Sequence, residues 1–161
     1  MRGVSYVAAQ GRHMAENSDL LKPEVIWNYN YGLGLSAEDI AQAQLTRARI
    51  HINMCEFFET YDLLVTPTVM TPPFPVEVRY IEEVSGVRFT NYVDWLMHTF
   101  LITPTGCPAV SVPCGFTNGG LPVGLQLVAP PRAEAALLSA AAAFEANQSL
   151  QWKTPIDPRV K

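Results

Sequence analysis

The chain has 161 residues and a mass of 17.8 kDa, a length at which one domain buries roughly 70% of its unfolded surface. Eleven Lys and Arg against fifteen Asp and Glu give a net charge of -4, the wrong sign for attracting nucleic acid or an anionic membrane. The three cysteines form no Cys-x-x-Cys motif and the longest apolar run, 135–144, is far shorter than the ~18 residues that span a bilayer, which argues against disulfides, zinc or another cofactor and a membrane span, and predicts a cytoplasmic protein.

The first predicted elements are short helices. Scattered apolar residues over 1–21 predict one weak helix or two short ones. Pro23 suits a first helical position and Gly32 the position beyond a last one, which predicts a helix over 23–31. The pair Gly32 and Gly34 is expected to break that helix.

The clearest predicted helix begins after Ser36. Ser36 and Asp39 stand three residues apart, as in a capping box that satisfies two orphan amides at a helix start. Arg47 and Arg49 lie off the apolar face and are expected in solvent, and the helix should end near Glu59. The residues that recur at spacings of four and three predict one buried stripe: Ala41, Leu45, Ala48, Ile52 and Cys55.

The middle of the chain predicts extended segments and turns. Residues 63–66 are apolar and precede a proline, the pattern of a buried strand. The stretch 66–75 holds four prolines and is expected to be extended. A turn at 85–86 predicts a small hairpin, and Asn91 caps a helix that continues to about Phe100.

Alternation gives the strongest local prediction. Residues 109–114 and 123–128 alternate apolar and small or polar side chains around the turn pair at 118–119, which predicts a β-hairpin. Prolines at 130–131 end the second strand and start a helix, and the chain from Ser149 onward is expected to be a surface tail. The last helix should face inward with Leu137, Ala141 and Phe144.

No complete catalytic set emerges from the residue types. None of the seven serines lies in a glycine-rich elbow, and the three lysines fall at a helix entrance and in the tail. The three histidines are isolated, so structural or surface roles are expected, and the thiols are expected to be buried. One alternative stays open: Cys107 or Cys114 as a thiolate activated by His98.

Three blocks carry a family resemblance. The blocks are Tyr61–Thr68, Thr105–Phe116 and Gly120–Val128, and in order and spacing they resemble the amidase signature family. With the helices before and after them, the resemblance covers nearly the whole chain. It corresponds to the final third or so of a family member.

The resemblance implies a fold and an activity. It implies an α/β fold, the C-terminal portion of the amidase signature fold, in which a mixed β-sheet with a β-hairpin is flanked by helices and residues 1–161 form a single partial domain. Family members hydrolyse carboxamide C–N bonds with a Ser, cis-Ser, Lys triad. All three triad residues lie upstream of the matching third, so no catalytic residue is carried over and the chain alone is expected to be inactive.

The resemblance also implies part of a substrate pocket. In the family, the segment equivalent to 102–108 runs beside the nucleophile, and the helix before it shapes the acyl site. Thr103 stands where members often have Asn, and the shorter hydroxyl loses one donor. The expected substrate-binding residues are Asp94, Trp95, Thr103, Thr105, Gly106 and Cys107.

Charge and resemblance together predict a covered surface. Charged residues make up 16% of the chain, against about 25% in a typical soluble domain. We therefore expect the chain to self-associate or to pair with an N-terminal amidase segment, and to bind a small amide substrate only with that segment. The alternative is a truncated, amidase-like binding or assembly module without catalysis.

Overall fold

Residues 1–149 are described by a computed structural model of the chain. Its contacts divide the chain into two units, Met1–Arg49 and a second that begins at Ile50. The single partial domain expected over 1–161 stays a prediction, and the expected surface tail lies beyond the described residues except for Ser149. None of the helices within 1–149 is both long and apolar enough to cross a membrane.

The first unit contains a pair of packed helices. These are α1 (Arg2–Glu16), followed by a 3-10 turn at Ser18–Leu20, and α2 (Pro23–Leu33). The prediction that Gly32 breaks the second helix is wrong, because α2 passes through it. A Cβ at Gly3 would lie only 2.9 Å from Gly32 Cα, so these glycines serve the close approach of two helix backbones.

A third helix, α3 (Ala37–Phe57), begins with the predicted capping box. The Ser36 backbone N–H and Oγ donate to Asp39 Oδ2 at 2.9 and 2.7 Å, and Asp39 N donates back to Ser36 Oγ at 3.1 Å. These hydrogen bonds, the one from the Ser36 hydroxyl first, lower the pKa of Asp39 below its ordinary value. Both members of the pair therefore hold the start of α3.

The buried stripe predicted for α3 is wrong. All five of its residues are exposed, including Leu45 at 63% and Ile52 at 55%. Arg47 and Arg49 are exposed as expected. The half-buried face of α3 lies on the opposite side of the helix: Ile40, Ala43, Ile50, Met54 and Phe57. The helix thus has two apolar faces, and the periodicity identified the one that remains open.

The second unit is built on a three-stranded sheet and a small hairpin. The sheet has the order β1-β5-β4, and a separate two-stranded hairpin is formed by β2 and β3. The strands are β1 (Leu64–Pro67), β2 (Glu83–Val84), β3 (Val87–Arg88), β4 (Ala109–Phe116) and β5 (Pro122–Val128). The predicted hairpin of β4 and β5 is confirmed, with Val110 opposite Leu127 and a register shift between Pro113 and Gly115.

The expected mixed sheet is corrected by these pairings. Every strand pair within residues 1–149 is antiparallel. The physical reason is connection length, since β4 returns as β5 through a short turn and a parallel neighbour needs a crossover of a dozen or more residues. The observed class is α/β with a small antiparallel sheet flanked by helices.

The core lies between this sheet and the last helix, α6 (Glu134–Ala146). Leu137 and Ala141 are buried and Phe144 is half-buried against the same cluster, which confirms the predicted inward face. The buried apolar side chains of the described part are Val112, Leu127, Val128, Ala129, Leu137 and Ala141. The sheet contributes one apolar face to this core.

Turn chemistry shapes the segment between β1 and β4. Ser85 and Gly86 have φ of 51° and 81°, the two positive values that a tight hairpin turn of this kind requires. The helix predicted from Asn91 to Phe100 is divided into α4 (Tyr92–Trp95) and α5 (Met97–Phe100). Asn91 is the N-cap as predicted, because its Oδ1 accepts from Val93 N at 2.9 Å.

Candidate functional site

The loop before β4 is held by the Thr105 side chain. A 3-10 turn over Thr103–Thr105 ends at Gly106, whose φ of 73° is left-handed. Thr105 is 3% exposed, its Oγ1 donates to Ile102 O at 2.6 Å and accepts from Cys107 N at 3.1 Å. Thr105 therefore fixes the path of the chain into the hairpin, and Gly106 allows the turn.

A histidine from α3 reaches this loop. His51 Nδ1 lies 2.5 Å from Thr105 O, and a Cβ on Gly106 would lie 3.4 Å from the same nitrogen. His51 Nε2 lies 3.7 Å from Cys55 Sγ, one helical turn further along α3. The structure thus brings Thr105, Gly106 and Cys107 together with two residues that the sequence pattern did not place there.

Asp94 and Trp95 make their contacts elsewhere. Asp94 Oδ2 accepts from Thr90 N at 2.9 Å and from Thr90 Oγ1 at 2.7 Å. These hydrogen bonds, that from the Thr90 hydroxyl first, lower the pKa of Asp94. Trp95 stacks edge-on against Phe74, with ring centroids 5.5 Å apart. The carboxylate of Asp94 is thus engaged in local capping.

The six predicted lining residues do not surround one cavity. Thr103 is exposed on the 3-10 turn, while the Thr105–Cys107 segment and the Asp94–Trp95 pair have different neighbours. A cavity of about 370 Å³ opens instead on the sheet. Its lining is mostly apolar and comprises Thr68, Val69, Ser111, Val112, Pro113, Gly115, Phe116, Pro122, Val123 and Gly124. Substrate binding by the six residues stays a prediction.

Two hydroxyls form the polar part of that cavity. Thr68 Oγ1 and Ser111 Oγ lie 2.6 Å apart across the sheet. A Cβ on Gly124 would lie 2.8 Å from Thr68 Oγ1 and 3.0 Å from Ser111 Oγ. Glycine at this position of β5 therefore leaves the space in which the two hydroxyls meet.

The Cys/His pair considered from the sequence is not the pair that forms. His98 Nε2 lies 2.6 Å from Pro67 O, and Cys107 Sγ lies 4.0 Å from Thr105 O. The thiol that meets an imidazole is Cys55, which is exposed, whereas Cys107 and Cys114 are half-buried. The expectation of buried thiols is therefore wrong for Cys55. Its spacing of four residues from His51 on a helix was the available signal.

Serine hydroxyls in the described residues engage in structural hydrogen bonds. Ser5 Oγ donates to Met1 O and Ser139 Oγ to Ala135 O, each four residues back on its helix. Ser36 and Ser111 contact Asp39 and Thr68. Across residues 1–149, no three His, Cys, Asp or Glu side chains gather as they would around a metal ion.

Comparison with known proteins gives consistent matches. Residues 12–138 match the family described as Amidase. The chain is 46% identical over 98 residues to a glutamyl-tRNA(Gln) amidotransferase polypeptide of Moorella thermoacetica, covering 61% of this chain and 19% of that protein. It is 35% identical over 127 residues to an acylamidase of Rhodococcus erythropolis, covering 78% and 26%.

The fold agrees with solved structures. A bacterial aryl acylamidase of the amidase signature family superposes with a TM-score of 0.79 at 24% identity, over 89% of this chain and 31% of that one. A second structure, described as an amidase, superposes with a TM-score of 0.80 at 22% identity, over 91% and 33%. The chain thus spans a third or less of the length of these relatives.

Proposed function

This chain belongs to the amidase signature family, and on that premise we propose that it is the C-terminal part of an amide hydrolase that supplies core and pocket walls. The two serines and the lysine of the triad lie on another segment, and the chain alone is inactive. Support comes from the lengths, since the acylamidase and aryl acylamidase relatives are about three to four times longer than the matched part. The substrate class proposed is a carboxamide with an apolar or aromatic acyl group.

The observation that carries the proposal is the open apolar face of α3. One face of this helix is half-buried in the chain itself and the opposite face, with Leu45 and Ile52, is exposed. A helix that is apolar on both sides is typical of a protein interior, and a contiguous exposed apolar surface indicates an interface. We assign this face to contact with the remaining two thirds of the amidase polypeptide.

The loop over Thr103–Cys107 is the proposed pocket wall. Thr105 is buried and holds both the preceding turn and Cys107 N, so the backbone of this loop is fixed before any substrate arrives. A fixed backbone suits a wall that positions a substrate for a nucleophile on another segment. Asp94 and Trp95 support this wall from α4.

A chimera tests the proposal. The part of the Rhodococcus erythropolis acylamidase that precedes its matched region is joined to this chain, and hydrolysis of an aryl acylamide is measured. We expect activity in the chimera and none in the chain alone. Leu45→Lys should lower the activity roughly tenfold or more, because it places a charge in a closed apolar interface. Gln42→Lys, an exposed position beside that face, is the control and should change little.

The outcomes separate the two functions. A folded, monodisperse chimera without amide hydrolysis contradicts the hydrolase role and favours the non-catalytic binding or assembly module. Hydrolysis by the unmodified chain alone, lost when its own residues are replaced, contradicts the proposal. Where the chimera does not fold, sedimentation of the chain decides, since a compact monomer that binds no hydrophobic dye would contradict the assignment of the α3 face.

A further inference from the structure

Cys55 and His51 form a thiol–imidazole pair that amide hydrolysis does not use. The residues are four apart on α3, and Cys55 Sγ lies 3.7 Å from His51 Nε2, within hydrogen-bond reach for sulfur. Cys55 is exposed and forms no disulfide. Exposure and a nearby proton acceptor are the two features that favour reaction of a thiol with a small electrophile.

The second hydrogen bond of His51 decides which ring nitrogen faces the sulfur. Nδ1 lies 2.5 Å from Thr105 O, and a carbonyl oxygen can only accept, so Nδ1 carries the hydrogen of the neutral ring. Nε2 then holds the free electron pair and accepts the S–H of Cys55. Thr105 is buried and hydrogen-bonded to Ile102, so the carbonyl that orients the imidazole is itself held.

The other two cysteines have different surroundings. Cys107 Sγ lies 4.0 Å from Thr105 O, and a carbonyl accepts a hydrogen bond without taking up the proton. Cys114 is half-buried in β4. These two thiols therefore provide an internal comparison within the same chain.

We propose that Cys55 is an oxidation site at which a hydroperoxide converts the thiol to a sulfenic acid. The S–H proton passes to His51 Nε2, and the sulfur attacks a peroxide oxygen, so that an S–O bond forms while the O–O bond breaks. The departing oxygen takes the proton from the imidazolium and leaves as water or an alcohol. The sulfur is oxidised by two electrons and the hydroperoxide is reduced by two. This inference rests on the geometry of the chain itself and not on the proposed function.

Hydrogen peroxide is the probe for the test. The full chain is treated with peroxide and a cyclic diketone that labels sulfenic acids, and labelling of each cysteine is followed by mass spectrometry of its peptides. We expect Cys55 to be labelled roughly tenfold faster than Cys107 and Cys114. His51→Gln should lower the Cys55 rate to about that of the other two thiols. Asn53→Gln, an exposed substitution on the same helix, should leave it unchanged.

Two results would overturn the inference. One is a Cys55 rate that His51→Gln does not alter while the helical circular dichroism of the variant matches that of the parent chain. The other applies even where His51→Gln does not fold: equal labelling of the three thiols in the parent chain, after each rate is divided by its value in denaturant. Each result would mean that the imidazole gives Cys55 no advantage.

Discussion

Asp39 and Asp94 use the same local chemistry at two helix starts. Each carboxylate accepts one backbone N–H and one hydroxyl from a residue three or four positions earlier, Ser36 in one case and Thr90 in the other. Both hydrogen bonds favour the charged form, and so the pKa of each carboxyl is lowered. A negative charge in the first turn also complements the helix dipole.

The lowered pKa of Asp39 fixes the sign of a pH dependence. A carboxyl whose pKa is lower folded than unfolded stabilises the folded chain above the unfolded pKa, near 3.8, and that stabilisation disappears as pH falls through the folded value. We expect Asp39→Asn to lower the free energy of unfolding at about pH 7 and to have a shrinking effect below about pH 4. Urea unfolding at several pH values measures this, and a difference independent of pH would contradict it.

Gly124 is expected to resist even the smallest substitution. A methyl group there would come within 2.8 Å of Thr68 Oγ1 and 3.0 Å of Ser111 Oγ, so Gly124→Ala should separate these hydroxyls and cost about 1 to 2 kcal/mol. Gly119→Ala is the control, because its nearest neighbour would be Thr117 Oγ1 at 3.8 Å. Thermal unfolding compares the two. Equal melting temperatures would argue against a tight fit at Gly124.

The two helices of the first unit allow opposite signs from the same chemical change. Gly11→Ala in α1 adds a Cβ 4.0 Å from Tyr29 Oη, and it should stabilise by up to about 1 kcal/mol through helix propensity. Gly32→Ala in α2 would place its Cβ against the carbonyl of Gly3, so the overlap should outweigh that gain by about 1 to 2 kcal/mol. Helical circular dichroism during urea unfolding measures both. Stabilisation by Gly32→Ala would contradict the close packing.

Elements specified by neighbouring residues were predictable from the sequence. The β4–β5 hairpin follows from alternation around a two-glycine turn, and the start of α3 follows from Ser36 and Asp39. The turn at Ser85 and Gly86 is equally local. In each case the determining contacts span a few residues, so the pattern along the chain contains them.

Features that depend on distant contacts were not predictable. The apolar residues of α3 fit two helical faces, and periodicity alone does not say which face the rest of the chain covers. Gly32 looked like a helix end because nothing near it in sequence announces Gly3 as its neighbour. His51 meets Thr105 across 54 residues, so the orientation of its ring was hidden as well.

The chain as a whole combines few charges with open apolar surface. Charged residues are 16% of the sequence, and Leu45, Ile52 and Leu138 are more than half exposed. Such surface associates in water when no natural partner is present. Self-association of the isolated chain is therefore the expected behaviour in the absence of an N-terminal amidase segment.

Sedimentation velocity measures that self-association. We expect the weight-average sedimentation coefficient to rise with concentration in the micromolar range, and Ile52→Lys to reduce the rise because it places a charge on the open face of α3. Gln42→Lys should behave like the parent chain. A coefficient that stays constant with concentration in the parent chain would contradict the prediction.

Pro113 limits what the outer edge of β4 can recruit. The hydrogen bond from Ala129 N to Pro108 O sets the alternation along β4, so the backbone groups of Ala109, Ser111 and Pro113 point away from β5. Proline has no N–H to donate, so an arriving strand finds amides at two successive rungs and none at the third. The hairpin is consequently a poor seed for cross-β fibrils, and a chain that waits unassembled is protected from the commonest fate of an open strand.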